Sequence, residues 1–323
     1  MTAQASYDTL VTVIGGSGFL GRNVVRALAR RGYRIRVACR RPDLANFLQP
    51  LGWVGQIQPV QANLRYPESL AAATRDASVV VNLVGILYER GRQRFDSVQA
   101  EGAEAAAKIA AAHHARFVQV SAIGADAASP SGYGRTKADG EQRVLEAVPD
   151  ATIFRPSIMF GPDDDFFNRF AALARFSPAL PLIGGGETKF QPVFVGDVAE
   201  AIAKAVDGDA KPATIYELGG PEILTFKELM QYILSVTERK RLLIPLPFAA
   251  ARLIASFLQF APKPLLTPDQ VQLLRFDNIV SEEATREGRT LAGLGITPRS
   301  VEAVVPNYLW RFRKTGQFQG HAA

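Results

Sequence analysis

Val11-Thr-Val-Ile-Gly-Gly-Ser-Gly-Phe-Leu-Gly21 is an apolar, β-branched run followed by a glycine-rich turn and the start of a helical segment. The glycines can be read as Gly15-x-x-Gly18-x-x-Gly21 or as Gly16-x-Gly18-x-x-Gly21. An early glycine permits the tight strand-to-helix turn, Gly18 lets backbone amides approach a pyrophosphate, and Gly21 lets the helix pack on the strand. Glycines also serve ordinary turns, but here a second strand follows the helix about twenty residues on. The segment therefore predicts a Rossmann-type dinucleotide site at the helix N-terminus.

Short apolar strands alternate with helical stretches through the first half of the chain. This alternation predicts βαβ units and an α/β fold with a doubly wound parallel sheet. The Rossmann core is expected over residues 1–156, and residues 157–323 are expected to add late strands of the sheet, at 190–195 and 214–218, and a smaller, mainly helical C-terminal lobe. The predicted core strands are residues 10–14, 34–39, 57–60, 78–84, 116–121 and 151–155, and the predicted helical segments begin near Phe19, Pro42, Pro67, Asp96 and Tyr133.

The end of the second predicted strand distinguishes between the two nicotinamide dinucleotides. NAD sites usually carry Asp or Glu there to bind the ribose 2′-hydroxyl, whereas arginine accommodates the 2′-phosphate of NADP. This chain has Arg40 and Arg41 at that position and no carboxylate before Asp43. Guanidinium groups make charge-assisted, often bidentate contacts to phosphate. The sequence therefore predicts NADPH rather than NAD(H), with solvated loop charges as the alternative interpretation.

Tyr133 and Lys137 lie four residues apart at the start of a predicted helix, so the phenol and the ammonium share one helix face. A nearby cation lowers the pKa of a tyrosine, which suits proton donation to a carbonyl. Ser121 ends the preceding predicted strand, at the edge where open α/β sheets bind ligands. These three residues are the candidate catalytic residues. A surface Tyr–Lys pair is the alternative, and whether the site turns over a substrate stays open.

Composition and charge bear on whether the chain is disulfide-bonded, metal-binding, secreted, membrane-spanning or a binder of charged partners. The single cysteine, Cys39, excludes an intramolecular disulfide, and no histidine–cysteine cluster has ligand spacing, so we expect no metal site. We expect neither a signal peptide nor a membrane-spanning segment, because the N-terminus is short and polar and no apolar run is long enough. The net charge of +6 is concentrated in early arginines that could face phosphates, anionic lipid or an acidic partner, or lie on a solvated surface. Nucleic acid is not expected as a partner.

The glycine motif and the Ser121, Tyr133 and Lys137 set together resemble the extended or atypical branch of the short-chain dehydrogenase/reductase superfamily. Asn63-Leu64-Arg65 resembles the loop near the adenine in that superfamily. One departure is Gln99, which stands where the extended branch commonly has an active-site Asn and weakens a proton relay through that helix. The contacts expected with the dinucleotide are those of Gly15, Ser17, Gly18, Phe19, Leu20, Gly21, Arg40, Arg41, Asn63, Leu64, Val84, Tyr133 and Lys137.

A narrower resemblance lies in the second half of the chain. Leu218-Gly-Gly-Pro-Glu222 and Leu266-Thr-Pro-Asp-Gln-Val271 are similar to the family of NADPH-binding accessory subunits of respiratory complex I and their bacterial relatives. This resemblance implies a structural NADPH and complex I subunits as partners. It also implies a peripheral location on the cytoplasmic face of the inner membrane, or on the matrix face in a mitochondrion.

Three functions therefore stay open. The first is an accessory or assembly subunit of NADH:ubiquinone oxidoreductase that holds NADPH without turnover. The second is an NADPH-dependent short-chain reductase or sugar epimerase in the cytoplasm that uses Ser121, Tyr133 and Lys137 on a small-molecule substrate. The third is a redox-sensing or regulatory nucleotide binder. The fold alone does not distinguish them.

Residues 247–261 predict one helix that is apolar around nearly its whole circumference, with Arg252 as its single charge. Periodicity allows two interpretations, a buried helix of the small lobe or an interface with a membrane-embedded partner or the headgroup layer. With the complex I resemblance we expect the second, which adds the membrane surface to the expected partners.

Overall fold

The structure is a computed structural model that describes residues 7–314 of the chain. Its strands, in chain order, are β1 (Leu10–Ile14), β2 (Arg34–Cys39), β3 (Ile57–Gln61), β4 (Val79–Asn82), β5 (Arg116–Val120), β6 (Thr152–Pro156), β7 (Met159–Phe160), β8 (Ala179–Ile183), β9 (Lys189–Phe190), β10 (Val193–Phe194), β11 (Ile215–Leu218), β12 (Leu224–Thr225) and β13 (Leu242–Leu246).

The α-helices are α1 (Phe19–Arg30), α2 (Pro67–Thr74), α3 (Glu101–Ala112), α4 (Gly132–Ala147), α5 (Phe167–Phe176), α6 (Val195–Asp207), α7 (Phe226–Val236), α8 (Phe248–Leu258), α9 (Pro268–Leu273), α10 (Glu282–Arg286), α11 (Val301–Val304) and α12 (Pro306–Leu309). The shorter helical segments are 3₁₀ turns at Pro42–Leu51, Gly184–Gly186, Ala292–Leu294 and Trp310–Phe312, and a π-helical turn at Asp96–Ala100.

Within the described residues, seven strands form one parallel sheet in the order β11-β6-β5-β4-β1-β2-β3. The predicted α/β fold with a doubly wound parallel sheet is thus confirmed. The strand order reverses between β1 and β4, which pair with Ile14 opposite Asn82. Open α/β sheets bind ligands at such a reversal, beyond the carboxyl ends of the strands.

The apolar patterning of the helices explains how they cover the sheet. Helices α2, α3 and α4 share one buried cluster with the strands, in which the alanine-rich α3 allows close packing. Helix α1 buries Val24, Val25 and Leu28 and leaves Arg26 and Arg30 exposed. The end of α1 is joined to α6 by Arg31, whose guanidinium binds the carboxylates of Glu200 and Asp207.

The chain divides into two compact units. The first comprises the described part of Met1–Pro156 with Gly196–Leu218 and Ser281–Thr297, and it contains the seven-stranded sheet. The second comprises Ser157–Val195, Gly219–Val280 and the described part of Pro298–Ala323. The second unit combines helices with three short strand pairs, β7–β10, β9–β12 and β8–β13. Its main core cluster includes Phe160, Phe167, Leu180, Phe226 and Ile233.

Three local predictions were wrong or incomplete. Of the two late strands, only 214–218 joins the main sheet, as β11, while 190–195 is divided into β9 and β10, which pair elsewhere. Pro192 lies between these two strands and has no N–H to continue a ladder. The segment from Pro42 is a 3₁₀ rather than an α-helix and contains Pro50. Strand β13 interrupts the predicted helical region and was missed, because Pro245 disguises it; the strand lies in a two-stranded pair.

Helix α8 confirms the helix predicted over 247–261, with narrower bounds. Its small residues Ala251 and Ala255 are buried, whereas Leu253, Ile254 and Phe257 are exposed. The helix is therefore buried on one face only, and it presents a second, apolar face to its surroundings. Among the described residues, no helix combines the length and apolar character needed to cross a membrane.

Candidate functional site

The glycine-rich turn after β1 is packed so closely that two of its positions require glycine. Gly15 has a φ of +81°, and a Cβ on it would lie 3.0 Å from Cγ2 of Val84. A Cβ on Gly21 would lie only 2.4 Å from the carbonyl oxygen of Gly15. The structure thus brings Gly15 and Val84 together at the point where the strand order reverses.

The N-terminus of α1 is open to a ligand. Its N-cap residue is Gly18, which is exposed, and no side chain of the described residues caps the helix there. The amides of Phe19, Leu20 and Gly21 belong to the first turn and therefore have no intrahelical acceptor. No acidic residue lies in this turn. Together with the positive end of the helix dipole, these amides favour an anionic group such as a pyrophosphate.

The residues at the end of β2 lie beside this turn. The Ser17 hydroxyl hydrogen-bonds the thiol of Cys39, whose pKa is raised mainly by burial. Arg40 is exposed. Arg41 is also exposed and holds Asp43 in a two-point contact, with Nη2 2.8 Å from Oδ2 and Nε 3.1 Å from Oδ1. A 2′-phosphate could therefore use Arg40 directly, whereas it would compete with Asp43 for Arg41.

The loop after β3 was predicted to contact the adenine, but one of its side chains belongs to the hydrophobic core. The side chain of Leu64 is buried in the apolar core and contacts Gly102, where a Cβ would lie 3.1 Å from it. Only the backbone of Leu64 could therefore meet an adenine. Asn63 accepts a hydrogen bond from the amide of Arg65 through its side-chain oxygen and is partly exposed.

Ser121, Tyr133 and Lys137 all belong to the same unit and lie around the end of β5 and the start of α4. Ser121 is 4% exposed, and among the described residues its hydroxyl has no hydrogen-bond partner. Lys137 is buried and donates to the carbonyl oxygen of Val120 at 3.3 Å. Its Nζ lies 5.9 Å from the centroid of the Tyr133 ring. Burial lowers the pKa of Lys137 to about 8, against a smaller upward effect of Glu141.

Gln99, which the resemblance aligned with an active-site Asn, is joined at the site by three supporting residues that the sequence analysis missed. It lies in the π-helical turn and donates from Nε2 to the carbonyl of Ile86, while its Oε1 is buried without a partner among the described residues. Gly140 lets α4 approach this turn, because a Cβ there would lie 2.1 Å from the Gln99 carbonyl oxygen. Asn82 and Gln119 hydrogen-bond each other at 2.9 Å beneath the strand ends. The signal available in the sequence was Asn82, a polar residue that directly follows the three valines of β4.

A second cluster of charges lies along α4. Glu141 is buried and receives Nε of Arg155 at 2.9 Å, and Arg155 also faces Glu217 at 3.8 Å. A cavity of about 550 Å³ beside this cluster is lined by Asp126, Glu141 and Arg155 among others, and by none of the candidate catalytic residues. The cluster therefore supports α4 rather than forming part of the candidate site.

The residues present fit a nicotinamide dinucleotide. The evidence is the glycine cradle that a Cβ would fill, the open first turn of α1, and the buried Ser121 hydroxyl without a partner. The turn would hold the pyrophosphate, and Lys137 can donate to ribose hydroxyls when it is charged. Ser121 and Tyr133 carry the hydroxyl groups that could bind or protonate a substrate oxygen. Among the described residues, no group of His, Cys, Asp and Glu side chains could hold a metal ion.

Comparisons with known proteins agree with this geometry. A family model described as the NAD dependent epimerase/dehydratase family matches residues 11–219. The chain is 37% identical over 321 residues to the mitochondrial "NADH dehydrogenase (ubiquinone) 1 alpha subcomplex subunit 9" of Arabidopsis thaliana, covering 95% of this chain and 79% of that protein. It is 34% identical to a ceramide reductase of Caulobacter vibrioides over 74% of each chain. The NADPH-dependent quinone oxidoreductase of Escherichia coli, solved with NADPH, shares the fold with a TM-score of 0.70 and 18% identity, over 93% of this chain and 99% of that one.

Proposed function

This chain belongs to the NAD dependent epimerase/dehydratase family, and from that premise we propose that it is an accessory or assembly protein of NADH:ubiquinone oxidoreductase, complex I. In this proposal it holds NADPH as a structural element and does not turn it over. The nucleotide would be bound by the glycine-rich turn after β1, the first turn of α1 and the end of β2.

One observation carries the proposal. The likeness to the plant complex I subunit extends over 95% of the chain, and so includes both units rather than the dinucleotide-binding half alone. A shared Rossmann site would explain similarity in the first unit only. The resemblance to complex I accessory subunits rested on two phrases, and the second unit contains residues 219–222 of the first phrase and all of the second, 266–271.

The preference for NADPH rests on charge at the end of β2. Arg40 and Arg41 are exposed there, and the nearest carboxylate, Asp43, is already bound by Arg41. An adenosine 2′-phosphate could bind Arg40 directly and compete with Asp43 for Arg41, whereas a 2′-hydroxyl would find no free carboxylate to accept its hydrogen bond. The chemistry that bound NADPH offers is hydride transfer from its nicotinamide ring. In this proposal no hydride is transferred.

A peripheral place at the inner membrane rests on α8. Phe257 is 72% exposed and Phe260, just beyond the helix, is 83% exposed, with Leu253 and Ile254 beside them. Contiguous exposed apolar side chains of this kind mark contact surfaces. We assign this face to a membrane-embedded partner or the headgroup layer, on the cytoplasmic side or, in a mitochondrion, on the matrix side.

The second candidate is an NADPH-dependent reductase. Ser121, Tyr133 and Lys137 are retained in one unit with the lysine buried, and the ceramide reductase of Caulobacter vibrioides is 34% identical to the chain. In this function the Tyr133 hydroxyl would donate a proton to the substrate carbonyl, Ser121 would hold its oxygen, and the Lys137 ammonium would stabilise the phenolate.

Purification from native membranes separates the two candidates. An affinity-tagged copy of the chain, expressed at its natural level, is solubilised in mild detergent and resolved on a native gel. The accessory function predicts co-migration with NADH:ubiquinone oxidoreductase subunits, identified by mass spectrometry. Migration of the chain alone, with NADPH oxidation on addition of a carbonyl substrate, would support the reductase instead.

A further inference from the structure

Helix α1 and the segment after β2 form an exposed face with two kinds of side chain. We call it the arginine–aromatic face and define it by Arg26 and Arg30 of α1, Leu44 and Phe47 of the 3₁₀ segment, and Trp53 and Val54 of the following loop. The six residues are all exposed and belong to the same unit.

Contacts at both ends hold the two parts of this face together. Near the start of α1, the Arg22 guanidinium lies over the Phe47 ring, 5.3 Å from its centroid. At the other end, Gln56 donates from Nε2 to the carbonyls of Ala29 and Tyr33 and accepts from the Trp53 amide at 2.9 Å. The segment therefore lies alongside α1 from its first turn to its last. Its exposed apolar side chains form a ridge beside Arg26 and Arg30.

The charge of this region is mainly positive. Residues 7–68 contain nine arginines, two aspartates and one glutamate, a formal charge of +6, which equals that of the whole chain. Helix α1 has no acidic residue. Arg31 and Arg41 are neutralised by ion pairs, whereas Arg26 and Arg30 are exposed.

The apolar ridge is unusually exposed. Trp53 is 65% exposed although its ring stacks on Tyr7 at 5.2 Å, Leu44 is 64% exposed, and Val54 is fully exposed. Gly55 follows with a φ of +81°, which turns the chain sharply at this tip. Single exposed apolar residues are normal on protein surfaces, but four of them in eleven residues beside a row of arginines form a patch.

We propose that the arginine–aromatic face docks on a membrane rich in anionic phospholipid. In this arrangement Arg26 and Arg30 contact lipid phosphates, and Trp53 and Val54 enter the headgroup layer. Tryptophan is favoured at that depth, and an amphipathic surface with arginines beside it is the pattern of interfacial binding. An acidic protein would satisfy the arginines, but it would need a preformed pocket for the projecting Val54, whereas a lipid layer deforms around it.

The chain's two tryptophans give a direct probe of this contact. A Trp310→Phe variant of the full chain leaves Trp53 as the sole tryptophan. Its fluorescence is measured with vesicles of phosphatidylcholine alone and of phosphatidylcholine with phosphatidylglycerol. We expect binding and a blue shift only with the anionic vesicles, reversed by about 1 M salt because exposed charges are then screened.

Two double variants of this full-length chain test the assignment of residues. Arg26→Glu with Arg30→Glu should weaken sedimentation with anionic vesicles by about thirtyfold or more, since each surface cation contributes to lipid binding. Trp53→Ser with Val54→Ser should also weaken binding but leave its salt dependence unchanged. Unchanged NADPH affinity and circular dichroism would show that these variants are folded.

Helix α8 provides the matched control, because Phe257→Ser with Phe260→Ser removes the other exposed apolar face. That variant should keep the Trp53 blue shift. Loss of vesicle binding in the α8 variant alone would overturn the proposal, as would binding without any Trp53 shift, which would show that another surface meets the lipid. Absence of binding to the anionic vesicles would also overturn it and would point to an acidic protein as the occupant. The vesicles contain no protein, so the proposal can fail or hold independently of complex I association.

Discussion

At the scale of single residues, the choice of cofactor depends on Arg40 and Arg41. We expect the unmodified protein to bind NADPH more tightly than NADH, and Arg40→Ala with Arg41→Ala to remove most of the difference. Charge-assisted hydrogen bonds contribute about 1.5–3 kcal/mol each, so the preference should fall tenfold or more. Titration calorimetry with both nucleotides measures this. Arg26→Ala, which removes an exposed arginine from α1, is the matched control and should leave the preference intact.

The ion pair between Arg41 and Asp43 sharpens the same prediction. Asp43→Asn removes the carboxylate that holds Arg41, so it should raise NADPH affinity a few-fold and leave NADH affinity unchanged. Equal affinities of the unmodified protein for the two nucleotides would contradict the role assigned to both arginines.

The buried ammonium of Lys137 predicts a pH dependence. Its pKa is lowered by burial from 10.5 to about 8 in the nucleotide-free protein, so above that pH the group is neutral and a weaker donor to ribose hydroxyls. We therefore expect nucleotide affinity to fall as the pH rises above about 8, and a Lys137→Met variant to bind more weakly without that fall.

The same shift has a consequence for folding, which can be measured without nucleotide. Between pH 8 and 10.5 the unfolded chain keeps a proton on Lys137 that the folded chain has released, so the free energy of unfolding should rise with pH there. A Lys137→Met variant should lack this contribution. A pH-independent affinity together with unchanged stability curves in the variant would show that Lys137 is not a buried donor.

At the same scale, contacts within one local segment could be predicted from the sequence, whereas contacts between residues far apart in the chain could not. The glycines of the turn and the Tyr133–Lys137 pair could be predicted, because spacing along one strand–turn–helix unit determines which atoms meet. Gly140 could not, because its contact with Gln99 depends on two helical segments that pack together forty residues apart in the chain. The burial of Leu64 was also missed, since a residue in a loop gives no period from which to infer its orientation.

At the scale of elements, helix α8 makes the clearest prediction. In membranes of gently lysed cells washed with about 1 M salt, which screens the arginine–aromatic face, Phe257→Ser with Phe260→Ser should move the protein to the soluble fraction, because it removes two exposed apolar side chains from the α8 contact face. NADPH binding should be unaffected. Phe176→Ser is the matched control, since Phe176 is as exposed as Phe260 but lies at the end of α5. If the unmodified protein is already wholly soluble, the assignment of α8 to a membrane contact is wrong.

The core strands could be predicted because fully buried parallel strands are continuous apolar runs. Each of the six agreed with the structure within two residues at either end. The short strands of the second unit could not, because two-residue pairs such as β9 and β12 carry no period and are formed by packing. Two prolines led to opposite errors. Pro192 divides 190–195, which was predicted as one strand, and Pro245 lies within β13, which was predicted to be helical.

At the scale of the whole molecule, the resemblance to extended short-chain dehydrogenases/reductases, and to complex I accessory subunits in particular, is confirmed by the family match and the 37% identity to the plant subunit. Whether the molecule turns over its nucleotide was open in the sequence and depends on Tyr133. If the nucleotide is structural, Tyr133→Phe should leave folding, NADPH affinity and co-migration with complex I unchanged. Steady NADPH oxidation with a carbonyl substrate that this variant abolishes would instead establish a reductase.

The central claim is that the molecule holds NADPH as a part of a larger assembly and does not consume it. The most direct measurement extracts the nucleotide from the purified native assembly before and after many turnovers of NADH oxidation by ubiquinone. We predict one NADPH per copy of this chain in both samples, still reduced and not exchanged for labelled nucleotide added during turnover. Recovery of NADP⁺, or of labelled nucleotide in place of the original, would contradict the claim.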